Sequence, residues 1–157
     1  MIAASGLHPL VLAFRDPRVL ADLGDGEWQD LLDLARSNAL SAKLAVVLSD
    51  RGLSAKILAR AQILLEEDRI RALYNQNRIR FEVRQLTRAL SRVKEPIVLL
   101  KGSAYLLAGL PIAYGRFMTD LDIMVPRHKL DAVEKALLHA GWVQLPTTDY
   151  DQRYYRE

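Results

Sequence analysis

Residues 96–125 read PIVLLKGSAYLLAGLPIAYGRFMTDLDIMV, and this stretch decides the fold. Ile97 to Leu100 form a continuous apolar run behind Pro96, which predicts a short buried strand. Lys101-Gly102-Ser103 then reads as a turn into a helix over Ser103–Gly109, stopped by Pro111. Met118 to Val125 predicts a second strand. Leu121 and Ile123 fall on one face of it, Asp120 and Asp122 on the other, and Pro126 ends it.

The acidic pair carries the chemistry. In an extended strand, residues two apart share a face, with Cα atoms about 6.5 Å apart. Two carboxylates brought together in this way repel each other unless a cation lies between them. Oxygen ligands of this kind suit Mg²⁺ or Mn²⁺. Gly102 lets the backbone approach a phosphate closely, and Ser103 adds a donor at the start of the helix. Lys101 and Arg116 are two cations within reach of such a phosphate. Asp-X-Asp alone, or Gly-Ser alone, is common by chance. The two in order, each tied to a strand and separated by one helix, point to a metal-bound polyphosphate.

Lys101-Gly102-Ser103, Arg116 and Asp120-Leu121-Asp122-Ile123 together resemble the signature of the DNA polymerase β-like nucleotidyltransferase superfamily. More narrowly, the leading Lys-Gly, the arginine ahead of the aspartates and the helical first half around Trp28 are similar to a family of uncharacterised bacterial nucleotidyltransferases. The resemblance implies that Gly102 and Ser103 hold a nucleoside triphosphate and that Asp120 and Asp122 bind divalent metal. It implies transfer of a nucleoside monophosphate to a hydroxyl acceptor, with release of pyrophosphate. The acceptor is a small molecule, a protein side chain or an RNA end. The superfamily pattern includes a third carboxylate on a later strand, and here the sequence departs from it. Asp149, Asp151 and Glu157 are the acids that remain, so the chain reads either as a fragment or as a catalytically incomplete domain. The second reading makes it a nucleotide-binding or adaptor module. A metal-dependent glycosyltransferase also uses Asp-X-Asp, but several β-α units precede the pair in that class and only one strand does here.

Outward from this stretch the chain is helical. Pro9 opens a short helix, and Asp16-Pro17 signals another. Gly24-Asp25-Gly26 reads as a break. Trp28, Leu31, Leu32 and Ala35 then keep helical phase, and Ser41 is placed to cap a helix carrying Leu44, Val47 and Leu48, with Gly52 past its end. From Ser54 to Glu95 there is neither Gly nor Pro. One helix of that length would reach roughly 60 Å, against a radius of gyration of about 15 Å for a chain of this size. The sequence therefore predicts a long helix that serves both halves, with the polar stretch Glu66–Arg78 as the alternative place for a break. Glu66, Glu67 and Asp68 read as solvent-exposed. Arg127–Ala140 is an amphipathic helix with Gly141 at its C-terminal cap. Trp142–Leu145 and Asp151–Glu157 are candidates for a third and a fourth strand. The expected class is α+β: a helical region (1–95) joined through a long helix to a small mixed sheet with flanking helices (96–157).

Composition sets outer bounds. The 157 residues are 50% hydrophobic and 26% charged, enough for a real core. There is no cysteine, which excludes disulfides and thiolate metal sites and fits a cytoplasmic protein. No apolar run reaches the length of a membrane span. The 22 cations exceed the 19 anions by only three, so nucleic acid is a permitted and not a favoured partner. Its strongest motif is Arg80, Arg84, Arg88 and Arg92, a four-residue recurrence along the long helix. His8, His128 and His139 have no metal-ligand spacing.

Overall fold

The computed structural model describes residues 8–146. Its elements are α1 (Pro9–Arg15), α2 (Asp25–Ser37), α3 (Ser41–Asp50), α4 (Ala59–Ala89), β1 (Val98–Leu99), α5 (Lys101–Leu107), β2 (Ile123–Met124) and α6 (Leu130–His139). Short 3₁₀ turns lie at Pro17–Asp22, Ser54–Lys56, Pro111–Ala113 and Arg127–Lys129. Helices dominate, and β1 pairs with β2 in a two-stranded sheet, so the α+β class holds. The chain divides into two compact units. Among the described residues, one comprises 8–81 with Leu99–Asp122, the other Glu82–Val98 with 123–146.

The first unit is built on apolar side chains from α1 to the start of α4. Leu20, Trp28, Leu31, Leu44, Leu48, Ala61 and Leu65 are all buried in one cluster. The helical phase of Trp28, Leu31, Leu32 and Ala35 turns a single face of α2 into this core. The break read at Gly24-Asp25-Gly26 is narrower and falls at Leu23 and Gly24: the 3₁₀ turn ends at Asp22, and α2 starts at Asp25 and runs through Gly26. The Gly24 N–H donates to the Glu27 carboxylate at 3.2 Å, and Asp25 and Glu27 both complement the positive end of the helix. Ser41 is the first residue of α3 and buried, without a capping hydrogen bond. Asp16 likewise does not cap the turn it precedes; its carboxylate pairs with Arg18 at 2.7 Å. Gly52, just past α3, has the left-handed φ of +64° that ends a helix.

Helix α4 is 31 residues long, about 46 Å at ~1.5 Å per residue. It passes through Glu66–Arg78 without a break and stops at Ala89, short of Glu95, so Arg92 lies beyond its end. The polar stretch does not interrupt the helix because part of it is buried and engaged. Asp68 was expected at the surface and is only 5% exposed. It accepts a hydrogen bond from Arg36 Nε at 2.8 Å. That bond raises the Arg36 pKa above the ordinary guanidinium value, with partial burial opposing it. Glu66 pairs with Arg69 at 2.6 Å, and Glu66 and Glu67 are exposed as expected.

In the second unit α6 buries Val133, while Leu130, Ala136 and Leu137 are half-buried and Ala140 is exposed. Gly141 follows the helix at φ +90°. The strands are shorter than the sequence predicts: Ile97–Leu100 contracts to β1 and Met118–Val125 to β2. Trp142–Leu145 forms no strand, and Val143 and Leu145 are 83% and 77% exposed. Apolar alternation is not enough there. A strand must pair its N–H and C=O groups with a neighbour, and none lies beside these residues among those described. The segment expected as a fourth strand lies outside the described residues.

Candidate functional site

All six residues singled out by the sequence fall within Leu99–Asp122, in the first unit. The turn after β1 is made by Lys101, not by Gly102: Lys101 has φ +50°, a left-handed conformation rare for a side-chain-bearing residue. Gly102 is needed for space. A Cβ there would lie 3.0 Å from Met118 Cγ, 3.3 Å from Met118 Sδ and 3.9 Å from Arg116 Nε. Ser103 is 2% exposed, and its hydroxyl donates to the Leu100 carbonyl at 2.8 Å. The Ser103 side chain thus fastens the first turn of α5. Lys101 Nζ lies 3.2 Å from Asp122 Oδ2, and the Leu100 N–H donates to the Asp122 carbonyl at 3.0 Å.

The aspartates are reached through a strap, residues 110–118, held between α3 and α4. Lys43 Nζ donates to the Pro111 carbonyl at 2.7 Å. Burial holds the Lys43 ammonium below the ordinary lysine pKa, with the Asp50 carboxylate opposing. Gly115, at φ +71°, lies directly on α3: a Cβ would be 2.6 Å from the Ala42 carbonyl oxygen and 2.7 Å from Lys43 Cα. From the other side, Gln76 Nε2 donates to the Ala113 carbonyl at 2.9 Å and to the Arg116 carbonyl at 3.4 Å. Asn75 donates to the Met118 carbonyl at 2.9 Å and accepts from the Met118 N–H at 2.8 Å. Arg78 adds a bond to the Met118 carbonyl at 3.3 Å.

Beyond the strap, residues 116–122 contain no turn or bend before β2. In such a segment alternate residues share a face. Met118 and Asp122 both meet the Lys101–Gly102 turn. Asp120 lies between them in the chain, two residues before Asp122. Asp120 is exposed and accepts from the Thr119 hydroxyl at 3.4 Å; Asp122 is half-buried. Arg116, also exposed, brings its guanidinium beside Gly102. The structure therefore gathers Lys101, Gly102, Arg116 and Asp122 at one turn, and gives Asp120 a hydrogen bond only from Thr119. Among the described residues there is no cluster of three or more His, Asp or Glu side chains placed to hold a metal. Two carboxylates nonetheless fit Mg²⁺ or Mn²⁺, which keep several waters and share ligation with substrate phosphates. Asp149, Asp151 and Glu157 lie outside the described residues.

Sequence reasoning missed Lys43, Asn75, Gln76 and Gly115. Gly115 carried a usable signal, because a glycine between two predicted elements marks a turn or a close approach of backbones. Asn75 and Asn77 carried another: asparagine is a weak helix former, and two of them inside a long helix ask for a tertiary partner. No curated protein and no solved structure matches the chain. The model of one protein family does match, over residues 24–157, from the cap of α2 through the turn and both aspartates. The chain belongs to that family, described as uncharacterised nucleotidyltransferase.

Proposed function

We propose that the chain moves a nucleoside monophosphate from a nucleoside triphosphate to a hydroxyl acceptor, in the manner of the DNA polymerase β-like superfamily. The acceptor oxygen bonds to the α-phosphorus as the bond from that phosphorus to the bridging oxygen of the β-phosphate breaks. Pyrophosphate leaves with the electron pair, and the hydroxyl proton passes to a carboxylate base. Asp149, Asp151 and Glu157 are the candidates for that base. The observation that carries this reading is the meeting of Asp122 with the Lys101–Gly102 turn at 3.2 Å, with the Arg116 guanidinium beside the same glycine. Asp120 and Asp122 would hold Mg²⁺ or Mn²⁺, which supplies charge stabilisation for the polyphosphate. Lys101 neutralises Asp122 in the free protein and lies where it can turn to the triphosphate. Arg116 supplies a second cation for the phosphates. Ser103 takes part through its backbone N–H and the packing of α5, because its hydroxyl is engaged.

The acceptor is a small molecule, a protein or an RNA end. Arg80, Arg84 and Arg88 along α4 offer a basic track, but the net charge of +3 does not favour a long polynucleotide. No helix among the described residues is long and apolar enough to cross a membrane. The proposed setting is the cytoplasm.

Calorimetry with Mn²⁺ and each of ATP, GTP, CTP and UTP, run beside a pyrophosphate-release assay, tests the reading. Asp120→Asn and Asp122→Asn are each expected to abolish measurable Mn²⁺ binding and to lower pyrophosphate release by at least ~100-fold, with the fold retained. Unchanged Mn²⁺ affinity in both variants rules out the metal site. Metal-dependent binding of nucleotide without release of pyrophosphate makes the chain a binding or adaptor module.

A further inference from the structure

The strap ends at Met118, and there α4 provides something a helix rarely gives to a loop. The Asn75 amide donates to the Met118 carbonyl at 2.9 Å and accepts from the Met118 N–H at 2.8 Å. A carboxamide is the one side-chain group that offers an N–H and a C=O in the same arrangement as a peptide. The reciprocal pair is what a neighbouring strand would give one residue in an antiparallel ladder. Met118 is 4% exposed, so its backbone groups cannot turn to water instead. The next fixed point is the bond from the Leu100 N–H to the Asp122 carbonyl at 3.0 Å. Only residues 119–121 lie between these two anchors, and Asp120 is the middle one.

We propose that Asn75 is a positioning residue for the acidic pair. It takes the place of a strand partner, which the segment before β2 lacks among the described residues, and so fixes the direction in which Asp120 is presented. Nothing in its contacts places it on a phosphate or a metal; it acts through the Met118 backbone. Gln76 supports it by holding residues 113 and 116. The proposal rests on the assignment of Asp120 and Asp122 as metal ligands, and its test keeps the two ideas apart.

Asn75→Ala is compared with Arg36→Met. The second variant removes the partner of buried Asp68 on the same helix, seven residues and about 10 Å from Asn75 along the axis. It therefore destabilises α4 without touching the strap. Three quantities are read for both and for the wild type: melting temperature, Mn²⁺ affinity, and hydrogen exchange over residues 116–122. Asn75→Ala is expected to raise exchange in that segment and to weaken Mn²⁺ binding about tenfold, the scale on which outer-shell partners of ligands act. Arg36→Met is expected to lose at least as much thermal stability while Mn²⁺ affinity stays within about twofold of wild type. If Asn75→Ala does not fold, Asn75→Asp, which keeps the acceptor for the Met118 N–H and loses the donor, carries the same comparison. Faster exchange with unchanged Mn²⁺ affinity overturns the positioning role and leaves the metal reading standing. Equal loss of Mn²⁺ affinity in Asn75→Ala and Arg36→Met also overturns it. A wild-type protein whose Mn²⁺ affinity does not depend on Asp120 overturns the metal reading itself, and the positioning role with it.

Discussion

The core around Trp28 and the strap that leads to Asp120 lie in the same unit and are held by different physics. Leu20, Trp28, Leu31, Leu44 and Leu48 are held by burial, which has no direction and tolerates repacking. The strap is held by hydrogen bonds from Lys43, Gln76, Asn75 and Arg78 to its backbone, and by one glycine lying on α3. Such bonds are directional, and each is worth only about 1 kcal/mol net. The contrast shows where the protein places precision. The core sets how stable the unit is; on the proposed reading, the strap sets where the carboxylates point.

Leu44→Ala and Gly115→Ala break this comparison if they behave alike. Leu44 is fully buried, and its truncation is expected to cost about 3 kcal/mol, the middle of the range for buried leucines. At roughly 2–4 °C per kcal/mol, the melting temperature should fall clearly. Below that temperature Mn²⁺ affinity should remain within about twofold of wild type. Gly115→Ala adds a methyl group 2.6 Å from a backbone oxygen and imposes left-handed strain, together about 2–5 kcal/mol. Its stability loss is on the same scale as that of Leu44→Ala, but the strap must move, so Mn²⁺ affinity should drop several-fold. Parallel losses of stability and affinity in both variants would mean that the strap has no separate role.

Two explanations compete for the glycine at position 102. Glycine at this position leaves room for a phosphate, or it leaves room for Met118, whose Cγ would lie 3.0 Å from a new Cβ. Gly102→Val is expected to weaken nucleotide binding on either account and to cost about 1–2 kcal/mol by overpacking. The double variant Gly102→Val, Met118→Ala separates them. Rescue of nucleotide affinity together with stability assigns the glycine to the strap. Rescue of stability alone assigns it to the phosphate, and the coupling between the two sites measures the share of each.

How far the sequence could be read follows the same line. Trp28, Leu31, Leu32 and Ala35 announced the core because burial of one helical face leaves a period in the chain. The order of Lys101-Gly102-Ser103 and Asp120-Leu121-Asp122 marked the candidate site because both motifs are local. What Asn75 and Asp68 hold was hidden. Their partners, Met118 and Arg36, are more than thirty residues away, and a polar residue on a helix looks the same whether it faces water or a backbone carbonyl. The strand expected at Trp142–Leu145 failed for a related reason. Alternation reports what a segment could do with a neighbour, and no neighbour is there among the described residues. The turn was placed correctly and assigned to the wrong residue, since nothing in the letters Lys-Gly shows which of the two takes the positive φ.

That last point leads to the smallest effect and the cleanest test. Lys101 holds φ +50° while its ammonium sits 3.2 Å from Asp122. The left-handed backbone costs a lysine about 1 kcal/mol, and strain of this kind tends to collect where geometry matters more than stability. The ion pair returns little, because the Lys101 side chain is 65% exposed and water screens it. Lys101→Gly and Lys101→Ala both remove the charge, but only glycine relaxes the turn. The glycine variant should therefore be more stable than the alanine variant by about 1 kcal/mol, the methyl group being the only difference between them. Both should lose nucleotide affinity to the same extent, because both lack the ammonium beside the acidic pair. Equal stability in the two would show that residue 101 is free to leave the left-handed region, and the turn would then not be a fixed part of the site.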